Sequence, residues 1–171
     1  MPSFTSSAHS PHFLRRLNRV AQALKRKEKE PVKKLVPMIN EAGVHTNGRI
    51  TRLAGAAVKS DRFLKFGADA AHVIHATAAD KPIGIGQNDC DAAEEVVTVA
   101  SGANAPGTKL LRMSGACAAG DELCPAADGK AQTIPAAPAG TYYAAARALT
   151  AGVDDQLVEV ESFYPKAVTV N

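Results

Sequence analysis

From Met38 onward the chain is cut into short pieces, and this constrains its fold more than any other feature. RITRLA (49–54), RFLKF (62–66), HVIHAT (72–77), PIGIG (82–86), EVVTVA (95–100), TKLLRMS (108–114), KAQTI (130–134), YYAAARAL (142–149) and QLVEVES (156–162) are all apolar or β-branched runs of strand length. Turn formers stand between them: Asn47-Gly48, Gly67, Asp80, Ser101-Gly102, Pro106-Gly107, Gly120-Asp121, Asp128-Gly129, Gly140 and Gly152. Many short strands at this spacing predict an all-β domain, a small β-barrel or β-sandwich. No helical period of useful length interrupts them, although AADKP and DAAEE could each make one turn.

The side chains available set how such strands pack. Aromatic residues are 5% of the 171 and Trp is absent, so the core must come from Val, Ile, Leu and Ala. Small side chains let layers approach closely but bury little, at about 25 cal/mol per Å² of apolar surface. A domain of this kind gains from an oligomer or from a surface to sit on.

The first 37 residues are different in kind. They hold nine Lys/Arg and two acids, a net +7, whereas residues 38–171 hold eleven bases and fifteen acids, a net −4. The chain therefore reads as a basic arm (1–37) joined to a mildly acidic β-rich body (38–171). Within the arm, Phe13, Leu17, Val20, Ala21 and Leu24 recur as one stripe of a 3.6-residue period, predicting an amphipathic helix at about 12–30. Ser10 and Pro11 suit its start, and Pro31 and Pro37 follow its end. Phe13, Leu17 and Leu24 on the stripe, with Arg15, Arg16, Arg19, Lys25, Arg26 and Lys27 around it, are the candidate contact residues for an acidic partner. Met38 is a second candidate translation start. No secretory signal and no run of 18 apolar residues is visible, so free thiols and no membrane span are expected.

Candidate chemistry in the body is sparse. Cys117 and Cys124 lie in GACAAGDELCPAADGK (115–130) at C-x6-C, not the C-x2-C of a zinc or redox motif. A disulfide would need a register that sets them opposite, with Cα atoms about 4.4–6.8 Å apart. The plainer expectation is two turns and a short strand, with both thiols as packing residues. His72 and His75 are three apart and on a strand face opposite ways, against joint metal ligation. GIGQND (84–89) has Asp89 where a dinucleotide fingerprint needs its third glycine, so Gly84 and Gly86 read as a close backbone approach. Asp89, Asp91, Glu94 and Glu95 lack the spacing of a calcium loop and read as a solvated loop. His45 and Asn47 in VHTNGR read as a turn element, and no G-x-S-x-G is present. No catalytic, cofactor or metal residue is expected.

The order of segments in the body carries a further signal. NEAGVHTNGRITRLAGAAV (40–58) leads to FLKFGADAAHVIHATAADKPIGIGQNDCDAAEEVVTVA (63–100), then to APGTKLLRMSGACAAGDELCPAADGKAQ (105–132) and AGTYYAAARALTAGVDDQLVEVE (139–161). Over about residues 40–170 this resembles the small phage capsid cement, or head decoration, proteins. The resemblance implies a compact β-rich domain on the outer surface of an assembled phage head. It would bind the major capsid protein across capsomer junctions, commonly as a homotrimer, without catalysis, cofactor or small-molecule substrate. The arm at 1–37 is extra to that pattern. The alternative is a nucleic-acid-binding module that uses the basic arm, against which the body lacks aromatics interleaved along its strands.

Overall fold

A computed structural model describes residues 47–171 of the chain. The arm, its expected helix at 12–30 and its candidate contact residues lie outside the described residues, as does His45.

Ten strands are present: β1 (Arg49–Ala54), β2 (Phe63–Phe66), β3 (His72–His75), β4 (Gly84–Gly86), β5 (Val96–Ser101), β6 (Lys109–Arg112), β7 (Glu122–Pro125), β8 (Ala131–Thr133), β9 (Gly140–Ala148) and β10 (Leu157–Val170). Each of the nine apolar runs lies on one of them. The remaining strand, β7, is the short strand expected within the cysteine stretch. AADKP and DAAEE form turns, and the only helical pieces among the described residues are 3-10 turns at Gly102–Asn104 and Ala127–Gly129.

The strands form two sheets. β1-β3-β2-β4-β5 close into a barrel, with β1 parallel to β3 and every other pairing antiparallel. β6-β10-β9-β7-β8 form a second, antiparallel sheet. A single parallel bridge, Met113 to Ala131, brings its two outer strands together at one point.

Alternation of side chains explains how two sheets share one body. On β2, Leu64 points into the barrel with Ala54, Val58, Val73, Cys90, Val97 and Val99. Its neighbour Phe63 points the other way, into a core with Ile85, Leu111, Met113, Leu123, Val158 and Val160. The start of β2 is thus buried on both faces, which is why Phe63 and Leu64 are adjacent apolar residues, while Lys65 and Phe66 farther along reach solvent. Ala144, Ala145, Ala146 and Ala148 are all buried on β9, so small residues let the layers come close. Gly84 does the same more sharply: a Cβ there would lie 2.1 Å from the Ala100 carbonyl oxygen of β5.

One expectation needs correction and another needs an addition. β10 was expected to end at Ser162, but it runs on to Val170. Pro165 does not stop it, because the pairing with β9 shifts between Ser162 and Lys166. A bulge of this kind is where a sheet tolerates proline. The acidic loop, in turn, is exposed but tethered. Asp89 accepts from the Ser60 N–H at 2.7 Å, Asp91 from the Lys59 ammonium at 2.9 Å, and Glu95 from the Asp91 N–H at 2.9 Å, while Glu94 meets His72 at 3.1 Å. The acids serve to fix the loop against the barrel.

Candidate interaction site

The bulge in β10 places Phe163, Tyr164 and Pro165 against the barrel, where β1 and β4 begin and β2 and β5 finish. The Ser162 hydroxyl donates to the Gly102 carbonyl at 2.9 Å and pins this crossing. Beside it lies a cleft of about 390 Å³, with Ile50, Ile83, Pro82 and Phe66 from the barrel and Tyr164 and Pro165 from β10. Two of these aromatics are open to solvent, Tyr164 at 71% and Phe66 at 45%. The Lys81 ammonium sits 5.0 Å from the centre of the Tyr164 ring. At an exposed site such a contact contributes on the order of 0.5–1 kcal/mol and holds the ring upright. Lys81 and Tyr164 are the ionisable side chains of the lining, and no acid–base pair faces the cleft. It can take an apolar or aromatic group, and it offers nothing to activate one.

A second cleft, of about 320 Å³, is polar and lined by Lys59, Ser60, Arg62, Asp89, Arg112 and Asp155. Its charges are largely matched within the chain. Lys59 pairs with Asp91 and Asp89, and Asp155 pairs with Lys130 at 3.0 Å and Arg112 at 3.7 Å. The Lys130 hydrogen bond and charge hold the Asp155 carboxyl below the usual carboxylate range. This cluster joins the two sheets: Arg62, just before β2, also donates to the Asp128 carbonyl at 2.9 Å.

The cysteines act as packing residues. All three are buried and free. Cys117 bridges Gly152 and Cys124 pairs with Gln132, so the register does not set them opposite each other. Burial pushes the Cys124 thiol up to about 11 and raises those of Cys90 and Cys117. Thiols held protonated in this way are poor nucleophiles.

The histidines occupy separate environments, as their spacing on β3 requires. His72 lies between carboxylates, 2.7 Å from Asp69 through Nδ1 and 3.1 Å from Glu94 through Nε2. The Asp69 hydrogen bond raises its pKa, with Glu94 adding to it. His75 instead accepts the Lys59 N–H at Nε2, 2.9 Å. Burial lowers its pKa, and the Arg62 charge lowers it further. No group of three or more His, Cys, Asp or Glu could hold a metal ion among the described residues. Sequence reasoning missed the cleft, since its lining comes from five separate segments and follows no motif.

Lys109 is another residue the sequence did not mark. It is buried, and its ammonium donates to the carbonyls of Ala105, Pro106 and Gly107 at 3.1, 2.9 and 2.7 Å. All three of its protons are used to shape the loop before β6.

No protein-family model matches the sequence, and no curated protein matches it. Among solved structures, the fold is similar to the N base of the head fiber protein gp8.5 of bacteriophage phi29. The TM-score is 0.53 at 20% identity, covering 69% of this chain and 95% of that one. Nearly the whole of that base domain therefore has a counterpart here.

Proposed function

We propose that this chain is a structural protein of a phage virion that binds the outer surface of the assembled head and stabilises capsomer junctions. The observation that carries the reading is the likeness of fold to the base of a phage head fiber. The order of strand and turn segments in residues 40–170 points the same way. The body suits the task physically. It offers an apolar cleft and tethered loops, and its buried thiols and matched charges serve packing.

A binder that touches two capsid subunits at once gains its full contact area only on the assembled, expanded shell. It therefore stabilises that state by mass action. The partner in this reading is the major capsid protein. The +7 arm, through Arg15, Arg16, Arg19, Lys25, Arg26 and Lys27, pairs with acidic groups of the coat, while Phe13, Leu17 and Leu24 are buried against it.

The test is sedimentation of the purified protein with expanded, undecorated heads of its own phage. The expected result is saturable co-pelleting at a fixed ratio to coat protein, with little on unexpanded shells. Absence of co-pelleting, together with retention on duplex DNA that weakens steeply with salt, would overturn it in favour of a nucleic-acid-binding arm.

A further inference from the structure

Lys81 is used differently from every other lysine of the body. Six lysines lie among the described residues. Lys59, Lys65, Lys130 and Lys166 each pair with a carboxylate, and the Lys109 ammonium is satisfied by three carbonyls. Among the described residues Lys81 has no carboxylate within ion-pair distance, and its ammonium meets only the Tyr164 ring. Ser101, in the same cleft, makes no side-chain bond to the 3-10 turn that it precedes.

The aromatics of the cleft are as unusual as its charge. The chain has five Phe, three Tyr and no Trp, yet Tyr164 and Phe66 stand exposed in one lining. Ile50 and Ile83 of that lining pack against the barrel core, so the cleft has a fixed floor. Clustered apolar surface of this kind marks an interaction site, and Tyr is enriched where interfaces carry most of their energy. The matching occupant is a chain segment with an apolar side chain for the rings and a carboxylate close beside it for Lys81. A wholly apolar partner would cover Lys81 unpaired, at a desolvation cost. A bare anion would leave both rings in water.

The cleft also lies where the rest of the chain arrives. The Ser101 N–H donates to the Gly48 carbonyl at 2.8 Å, and a Cβ on Gly48 would lie 2.1 Å from the Asn104 carbonyl oxygen. Ser101 and Asn104 both line the cleft, so the segment that precedes Asn47 joins the body at its rim. We propose that the cleft is a second anchor for the coat protein, beside the arm. An exposed coat segment sets an apolar side chain against Tyr164 and Phe66 and a neighbouring carboxylate against Lys81. The identity of the partner rests on the head-binding reading above. Because cleft and arm are covalently joined at this rim, engagement of one raises the effective concentration for the other.

The experiment is quantitative sedimentation of the full chain with expanded, undecorated heads, wild type against Tyr164→Ala, Tyr164→Phe and Lys81→Glu. Tyr164 and Lys81 are exposed, so circular dichroism should show each variant folded. Tyr164→Ala and Lys81→Glu should each weaken binding by at least about tenfold, with the saturating ratio unchanged. Tyr164→Phe keeps the ring and should bind as wild type does. Val153→Ala, which trims an exposed apolar side chain outside the cleft, is the control and should also bind as wild type does. Wild-type affinity in both Tyr164→Ala and Lys81→Glu would overturn the cleft as an anchor and leave the head-binding reading standing. Absence of co-pelleting by the wild type would overturn both.

Discussion

The barrel and the second sheet solve the same problem, that of open strand edges, in different ways. The barrel closes on itself: β1 lies between β3 and β5, and each of its five strands has two neighbours. The second sheet is brought round to a single bridge at Met113 and Ala131, and then sends β9 and β10 past its own boundary. Closure makes the barrel self-sufficient, so its rim and loops can be varied without exposing backbone. The second sheet keeps hydrogen-bonding capacity in reserve.

The largest effect should come from breaking closure itself. Gly84→Val would drive a branched side chain into the Ala100 carbonyl, which already lies 2.1 Å from an added Cβ. The barrel cannot relax there without opening the β4–β5 pairing. A loss of about 3 kcal/mol or more is expected, at the upper end of overpacking costs. Urea unfolding followed by circular dichroism measures it, and a change below about 1 kcal/mol would mean that the barrel is not sealed at this point. Gly120, on a turn of the second sheet, has nothing within 4 Å of an added Cβ. Its φ of +97° still strains an alanine, but only moderately.

Next in size are the two cores. Leu64→Ala empties the barrel and Leu123→Ala empties the second core, and each should cost about 2–5 kcal/mol. Their shared strand gives the sharper expectation. Phe63 and Leu64 feed different cores from adjacent positions on β2, so the cores should unfold together. Both variants should show one transition, shifted to lower denaturant, by fluorescence of the tyrosines and by far-ultraviolet circular dichroism alike. Two separated transitions in either variant would make the barrel and the second sheet independent units.

The comparison also shows which parts of the fold a sequence can display. Short β-branched runs and their Gly, Asn and Asp turns were legible because strand period and turn chemistry are local. The close approach at Gly84 was legible as well, since a glycine pair inside a strand has few other uses. The parallel β1–β3 pairing was not, because it depends on how the barrel closes. The last stretch of β10 was hidden by Pro165, whose usual meaning is a stop and whose effect here is absorbed by a bulge. The cleft could not be read either. Ile50, Phe66, Ile83 and Tyr164 are ordinary apolar residues until folding leaves two of them exposed side by side. The acidic loop is exposed as expected, but its tethers were hidden for a related reason. Its partners Ser60, Lys59 and His72 lie 22 to 32 residues away, and no local pattern announces them.

The smallest effect separates the rim of the barrel from its seam with the second sheet, through two histidines on one strand. His72 at the rim has a raised folded pKa, from Asp69 first and Glu94 after it. Its contribution to stability is fully present below its unfolded value, about 6.5, and is lost as pH rises through the folded value. His75 at the seam has a lowered folded pKa, from burial and the Arg62 charge, with Asp128 opposing. Its contribution is present above about 6.5 and is lost as pH falls, because protonation removes the lone pair that accepts the Lys59 N–H. The two windows meet near the unfolded value of about 6.5, so together the two histidines should give the wild-type profile a maximum there, with stability falling on either side. Replacement with glutamine separates them. The penalty of His72→Gln should be greatest at the acid end and fade as pH rises. The penalty of His75→Gln should be greatest at the alkaline end and fade as pH falls. Thermal midpoints measured across that range decide the matter. Parallel profiles for the two variants would mean that rim and seam do not differ electrostatically. Opposed profiles would show that the exposed rim is held by charge, while the seam depends on a histidine kept neutral between the two sheets.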